Sequence, residues 1–357
     1  MEGDETQENL AASIASKPPI IYCHFGNSFY LEFVLSQAIK NCPGRDVILL
    51  GDASNLWLKK TGVKHELLEK YLGNSMALEA FNESFKLTGG SVFLDSINKS
   101  KTIVSGVSTC WTKFNFLKWI GLYEYLRGNE IEHCWFFDSD MLVISDPAKT
   151  EDVLLARSLK WTYWNDLHQH QGWIGDPSII DSFVKHFIYL FRDKTLIQKL
   201  EETDFMQNPS WGFTLMRAWN EFHRRQDDGH SEWLQKMIPD SLLVYLDGTI
   251  ENELYSLVRS RHRWQGRPAK EVFYDRKGSL FARLEGRDGF LPITFLNLSW
   301  ADPELVSLIR RTQTVGSMSH YGLRSVDELK KPRAVTAGTR FWRRIRTRII
   351  GHTRKGF

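Results

Sequence analysis

Long apolar runs are missing from this chain. None of its 357 residues falls in a stretch approaching the ~18 consecutive apolar residues that a membrane-spanning helix needs. Residues 1–17 are polar and acidic, without the charged-then-apolar layout of a secretory leader. Cysteine is scarce as well. Cys23, Cys42, Cys110 and Cys134 show neither zinc-ligand spacing nor a disulfide framework. These absences predict a protein kept in a reducing cytoplasm. No internal repeat is evident.

Acid is lacking at one end only. Residues 330–357 hold ten Lys or Arg and no Asp or Glu, so the net charge of +3 leaves residues 1–329 at −7. An acidic body argues against a nucleic-acid binder and asks for a local explanation of the basic end. Otherwise the composition is that of an ordinary globular protein, long enough for one large domain or two modest ones around a substantial core. The many tryptophans fill core and interface space, although flat aromatic surfaces also serve carbohydrate sites.

The chain opens as strand, helix, strand. Pro18 and Pro19 precede a buried apolar run, Ile20–Phe25, with Gly26–Ser28 as its turn. Ser28 is placed to cap a helix over Phe29–Lys40, where Leu31, Val34, Leu35 and Ala38 recur at helical spacing. Asn41–Gly44 breaks the helix, and Asp46–Leu50 reads as a second strand ending at Gly51 and Asp52. This order predicts an α/β sheet, in which ligands gather beyond the carboxyl ends of the strands. His24, Asn27 and Asp52 occupy those ends, and turn or cap chemistry is the alternative account of each.

Further along, Leu56–Leu72 is predicted helical, Val92–Asp95 a short strand, and Trp111–Leu126 a helix with apolar faces. Trp161–Asp166 reads as a strand and His168–Pro177 as a polar loop. Helices follow near Ser178 and over Phe213–Phe222, and Leu242–Leu246 and Pro292–Trp300 are late strands. His168 and His170 have the spacing of a metal pair, but no carboxylate accompanies them at zinc-enzyme spacing, which favours the loop.

The chain is organised around Cys134–Ile144, an apolar run interrupted by two acids. In an extended strand Asp138 and Asp140 would share one face and Ser139 the other. Adjacent carboxylates repel and are costly to bury unless a cation or a hydrogen-bond network compensates. Mg²⁺ and Mn²⁺ do this well, sharing carboxylates with a substrate phosphate.

Phe136–Met141 resembles the DxD motif of nucleotide-sugar-dependent glycosyltransferases with the GT-A fold, and the order of elements from Ile20 to Asp52 and from Trp111 to Phe187 resembles theirs. The resemblance implies a GT-A-like, Rossmann-type mixed sheet flanked by helices over residues 18–325, after a polar leader (1–17) and before a basic helical tail (326–357). It implies transfer of a sugar from a UDP- or GDP-sugar to the hydroxyl of a glycan or lipid-linked acceptor, with Mn²⁺ or Mg²⁺ and without nucleic acid. His24, Asn27 and Asp52 would then meet base and ribose. Lys113 would face the donor phosphates, and Asp138 and Asp140 the metal. Asn297 stands where many of these enzymes place a histidine that completes the metal site, a departure that puts a third protein ligand in doubt; His320 is another position for it. Asp166 and Asp204 are the two acids implied for general base or sugar binding. A solvated helix charge for Lys113 and a helix cap for Asp204 are the competing accounts. Two rival functions stand beside this one. A DxD phosphatase-like hydrolase usually carries Thr or Val where this chain has Leu142. A non-catalytic anionic-lipid- or nucleic-acid-binding protein is suggested by the basic end alone.

That basic end has its own pattern. On a helix, Phe341, Trp342, Ile345 and Ile349 gather on one side, with Arg340, Arg343, Arg344, Arg346 and Arg348 over most of the remainder. This is the layout of a helix lying in an anionic membrane surface, and equally of a terminal helix docked on the enzyme's own core. The first account places the protein peripherally at the inner face of a membrane.

Overall fold

The computed structural model describes residues 17–73, 75–86, 102–104, 107–109, 111–164, 169–204, 213–225, 230–250, 254–264, 267–286, 288–299, 301, 303–314 and 324–329. The first half follows the predicted strand–helix–strand order: β1 (Ile20–Cys23), α1 (Leu31–Asn41), β2 (Val47–Gly51) and β3 (Lys64–Leu67). Next come α2 (Trp111–Gly128), β4 (Cys134–Asp138), β5 (Met141–Val143), β6 (Trp161–Trp164) and β7 (Gln169–Ile174). Three helices follow, α3 (Ser178–Arg192), α4 (Lys194–Asp204) and α5 (Leu215–Arg225). The rest is mostly strand: β8 (Ser231–Trp233), β9 (Leu242–Tyr245), β10 (Val272–Tyr274), β11 (Leu280–Arg283), β12 (Phe290–Asn297) and β13 (Arg324–Ser325), with α6 (Pro303–Thr314) before the last.

A seven-stranded mixed sheet runs in the order β8-β6-β7-β4-β1-β2-β3. β4, β1, β2 and β3 are mutually parallel, and β7 enters antiparallel between β4 and β6. A second sheet, β9-β12-β11-β10-β13, also pairs with β5 through β12. The protein is therefore an α/β fold with a mixed sheet flanked by helices.

Continuous apolar runs make the central strands because both of their faces are covered. Ile20 and Tyr22 of β1, with Trp135 and Phe137 of β4, join the core shared with α1, α6 and the second sheet. Ile21 and Cys23, with Cys134 and Phe136, alternate to the opposite core, packed by α2, α3 and α5. Each fully buried large apolar side chain is worth roughly 1.5–3 kcal/mol.

A buried ionic network ties the sheet's amino end together. The Arg45 guanidinium donates to the Pro18 carbonyl, to Asp146 at 2.8 Å and to Glu151 at 2.5 Å. Glu151 also accepts the Trp135 indole N–H at 2.5 Å.

Three local expectations change. Leu56–Leu72 is not one helix: a 3-10 helix over Ala53–Thr61 stops at Gly62, whose φ of +91° no ordinary side chain favours. The chain then pairs with β2 as an edge strand before a short helix, Leu68–Leu72. His168–Pro177 is not a loop throughout, because β7 fills its centre and His170 and Trp173 are buried there. Strand pairing on both sides overrode the polar composition. The run Cys134–Ile144 is two strands in two different sheets rather than one extended strand. The proposed strand Val92–Asp95, the loop residue His168, His320 and the tail segment 339–350 lie outside the described residues. Among the described residues no helix is long and apolar enough to cross a membrane.

Candidate functional site

The two acids sit where the chain leaves one sheet for the other. β4 ends at Asp138, a turn takes Ser139 and Asp140, and β5 begins at Met141, paired with Asn297 of β12. Asp138 lies beside Cys23 at the carboxyl end of parallel β1, the edge at which such sheets bind ligands. The turn replaces the simple strand alternation. The Ser139 hydroxyl is 2.7 Å from His24 Nδ1, and the Leu298 amide donates to the Asp140 carbonyl at 2.9 Å.

The carboxylates are held from opposite sides. Lys118 of α2, almost wholly buried, donates from Nζ to Asp138 Oδ1 at 2.6 Å. Burial alone would raise the Asp138 pKa, but the charge and hydrogen bond of Lys118 bring it below the usual carboxylate range. Asp140 accepts from the Ser299 hydroxyl at 2.6 Å through Oδ2, while its Oδ1 is buried with no hydrogen-bond partner. Burial, and then repulsion from Asp138, push its carboxyl up to about 6. Tyr245, stacked on Trp164 with centroids 4.0 Å apart, is also close enough to feel both acids. Burial raises its pKa first, and the charges of Asp138 and Asp140 raise it further.

Asn297 is buried beside this turn, and its Oδ1 accepts the Ser299 amide at 2.7 Å. A carboxamide oxygen keeps a second lone pair, so that bond does not by itself exclude a further contact. Among the described residues no group of three or more His, Cys, Asp or Glu is arranged to hold a metal. A cation at this turn would have Asp140 Oδ1 as its open protein oxygen, with water and ligand oxygens completing the shell. The donor set fits Mn²⁺ or Mg²⁺ in that sense.

His24, Asn27 and Asp52 do come together beyond β1 and β2, and their polar atoms are already engaged with one another's loops. His24 lies between Ser139 and Ser28, the latter 3.0 Å from Nε2, and burial lowers its pKa to about 4 despite Asp52. Asp52 caps the 3-10 helix through Ser54 and accepts the Gly26 amide at 2.8 Å. Asn27 donates to the Ser54 carbonyl at 3.0 Å and accepts the exposed Trp57 indole at 2.7 Å. Gly51 is required nearby: a Cβ there would strike Asn55 Oδ1 and His65 Nε2, which face each other at 2.6 Å.

Lys113 lies over the Phe85 ring, 5.7 Å from its centroid. Asp204 is the last residue of α4, and Asp166 lies outside the described residues. Lys118, Ser299 and Tyr245 were not picked out from the sequence. Lys118 did carry a signal, being a lone lysine within the apolar run Phe116–Leu122, where a buried charge demands a partner. Ser299 and Tyr245 carried none, because only folding brings them to the acids from more than a hundred residues away.

No family model matches the chain, and no curated protein matches it. A solved structure named PaToxG Glycosyltransferase is similar at 10% identity over 58% of this chain and 68% of that one, with a TM-score of 0.31, a likeness too slight to carry an argument about fold or activity.

Proposed function

We propose that this chain is a glycosyltransferase that moves a sugar from a nucleoside-diphosphate donor, a UDP- or GDP-sugar, to an acceptor hydroxyl with the help of Mn²⁺ or Mg²⁺. The observation that carries the reading is Asp140 Oδ1, a buried carboxylate oxygen without a partner, beside a second carboxylate at the carboxyl edge of a parallel sheet. Such an oxygen is costly to leave unpaired, and a hard cation bridging to diphosphate satisfies it. The metal would supply Lewis acidity and a template for the departing diphosphate. Lys118 neutralises Asp138 in the meantime and is a positive charge facing the same edge.

Thermal unfolding with UDP or GDP, with and without Mn²⁺, tests the reading. The wild type is expected to be stabilised by nucleotide only when metal is present, through ligand linkage, and Asp140→Asn is expected to lose that shift. A full metal-dependent shift in Asp140→Asn removes the assignment.

Asp166 and Asp204 are the acids proposed for general base or sugar binding. If either is the base, its Asn variant keeps donor affinity and loses turnover; unchanged turnover in both variants removes the pair. From its sequence, the segment 339–350 is proposed to bring the enzyme to an anionic membrane carrying a glycan or lipid-linked acceptor. Salt-sensitive binding to anionic vesicles, lost on deleting residues 339–357, is the expected result, and indifference to such vesicles at low salt ends that proposal.

A further inference from the structure

A basic hairpin stands beside the point where the basic end of the chain begins. Residues 324–329 close β13 and a 3-10 turn over Val326–Glu328. In that turn Asp327 accepts a hydrogen bond from the Ser260 hydroxyl. Ser260 belongs to a two-stranded hairpin, in which Arg259–Trp264 pairs antiparallel with Arg267–Lys270. Arg259, Arg261 and Arg263, at every second position of the first strand, are exposed. The ten Lys and Arg of residues 330–357 therefore start from the side of the body that already carries these arginines.

The same hairpin flanks the candidate site. The Lys270 amide donates to the Leu246 carbonyl at 3.1 Å, and the Leu246 amide donates to the Asn297 carbonyl at 3.0 Å. Asn297 pairs with Met141, the residue after Asp140. The Gly248 amide donates to the Pro268 carbonyl at 3.0 Å, so the hairpin stays alongside the chain beyond the end of β9. Main-chain bonds thus connect the hairpin to the strands that hold the acid turn.

Exposed arginines close together repel one another, and their planar forks match phosphate oxygens. Residues 1–329 are acidic overall, so near an anionic surface the body turns its basic side inward. A long nucleic acid would meet more of the acidic remainder than a flat bilayer does. The apolar stripe of Phe341, Trp342, Ile345 and Ile349 also suits lipid rather than nucleic acid. Nine residues, 330–338, separate Leu329 from segment 339–350. Their extended reach is at most about 35 Å, so a segment held at a membrane keeps the hairpin close to that membrane at high effective concentration.

We infer that the exposed arginines of the 259–270 hairpin form a second membrane contact, seated on the phosphates of anionic lipids, which brings the flank of the candidate site to the bilayer. The inference rests on the proposal that segment 339–350 binds anionic membranes. It goes beyond that proposal by naming a surface of the folded body.

Sedimentation of the full chain with vesicles at low salt tests it, using phosphatidylcholine alone and phosphatidylcholine with phosphatidylserine. A basic residue near such a surface contributes about fivefold in affinity, so Arg261→Gln combined with Arg263→Gln is expected to bind the phosphatidylserine vesicles roughly twenty- to thirtyfold more weakly, with an unchanged Tm. Arg261→Lys combined with Arg263→Lys keeps the charge and is expected to recover most of the loss. Either single Gln variant is expected to lose about fivefold, which decides the matter if the double variant does not fold. A double Gln variant that binds as wild type does, while deletion of residues 339–357 abolishes binding, overturns the hairpin contact and leaves the tail acting alone. A double Gln variant that loses affinity for duplex DNA or RNA but not for vesicles makes the hairpin a nucleic-acid surface and overturns the membrane assignment. A wild type indifferent to phosphatidylserine vesicles overturns the tail proposal and the hairpin contact together.

Discussion

Asp140 is the residue at which stability and the proposed function pull apart. Its pKa of about 6 lies above the ordinary carboxylate value, so the folded state holds the proton more tightly than the unfolded chain does. Below about pH 4 the carboxyl is protonated in both states and the charge costs nothing; above about pH 6 the full cost is present. Asp140→Asn, which cannot ionise, is therefore expected to raise the metal-free Tm at pH 7 by a few degrees, equivalent to roughly 1–3 kcal/mol, and to leave it unchanged near pH 4. Calorimetry on the apoprotein reads this out. A variant less stable than wild type at pH 7 would mean that the Ser299 contact outweighs the repulsion from Asp138. Asp138 shows the opposite balance, because the Lys118 ammonium more than offsets its burial. The sequence displayed both acids, but not which of them was already neutralised, since that depends on where α2 places Lys118.

Among the elements, β7 was the least legible. Its residues, Gln169–Ile174, are polar enough to read as a loop, yet they pair with β4 on one side and β6 on the other. Gly172 makes this possible. Its φ is +92°, and a Cβ would stand 2.7 Å from Leu234 and 3.2 Å from the Trp135 ring. Gly172→Ala is expected to destabilise the protein by about 1–3 kcal/mol, combining backbone strain with overpacking. Urea unfolding checks this, and an unchanged midpoint would show that β7 can shift to make room. The segment Leu56–Leu72 misled for the same reason: its apolar spacing suits a helix, but β2 offered an unpaired edge that Lys64–Leu67 completes. Elements with local signals, such as α1, α2 and the runs at β1, β2 and β4, were readable because burial on both faces or one stripe is written directly in the residue order.

For the whole molecule, buried histidines set the response to acid. His24 and His186 have pKa values lowered to about 4 and His170 to about 3, in each case by burial first, with Arg225 adding to the effect at His186. The folded state refuses protons that the unfolded chain accepts below about pH 6.5, so stability is fully present above that pH and is lost as pH falls toward about 4. Asp140 works against the trend between about pH 6 and 4, while His65, whose pKa burial also lowers, adds to it. A Tm lower by at least about 5 °C at pH 5 than at pH 7.5 is expected, and a flat profile would show that the histidines are more hydrated than their burial implies. By itself the sequence determined the α/β class, the opening strand–helix–strand order and the presence of two acids on an apolar run, because these follow from periodicity and composition within short windows. Only the tertiary structure decided that the acids fall at a crossing between two sheets, that Lys118 and Ser299 bond to them there, and that Tyr245 comes near enough to feel their charge. Those relations join residues far apart in the chain, and the packing that creates them leaves no local trace in the order of residues.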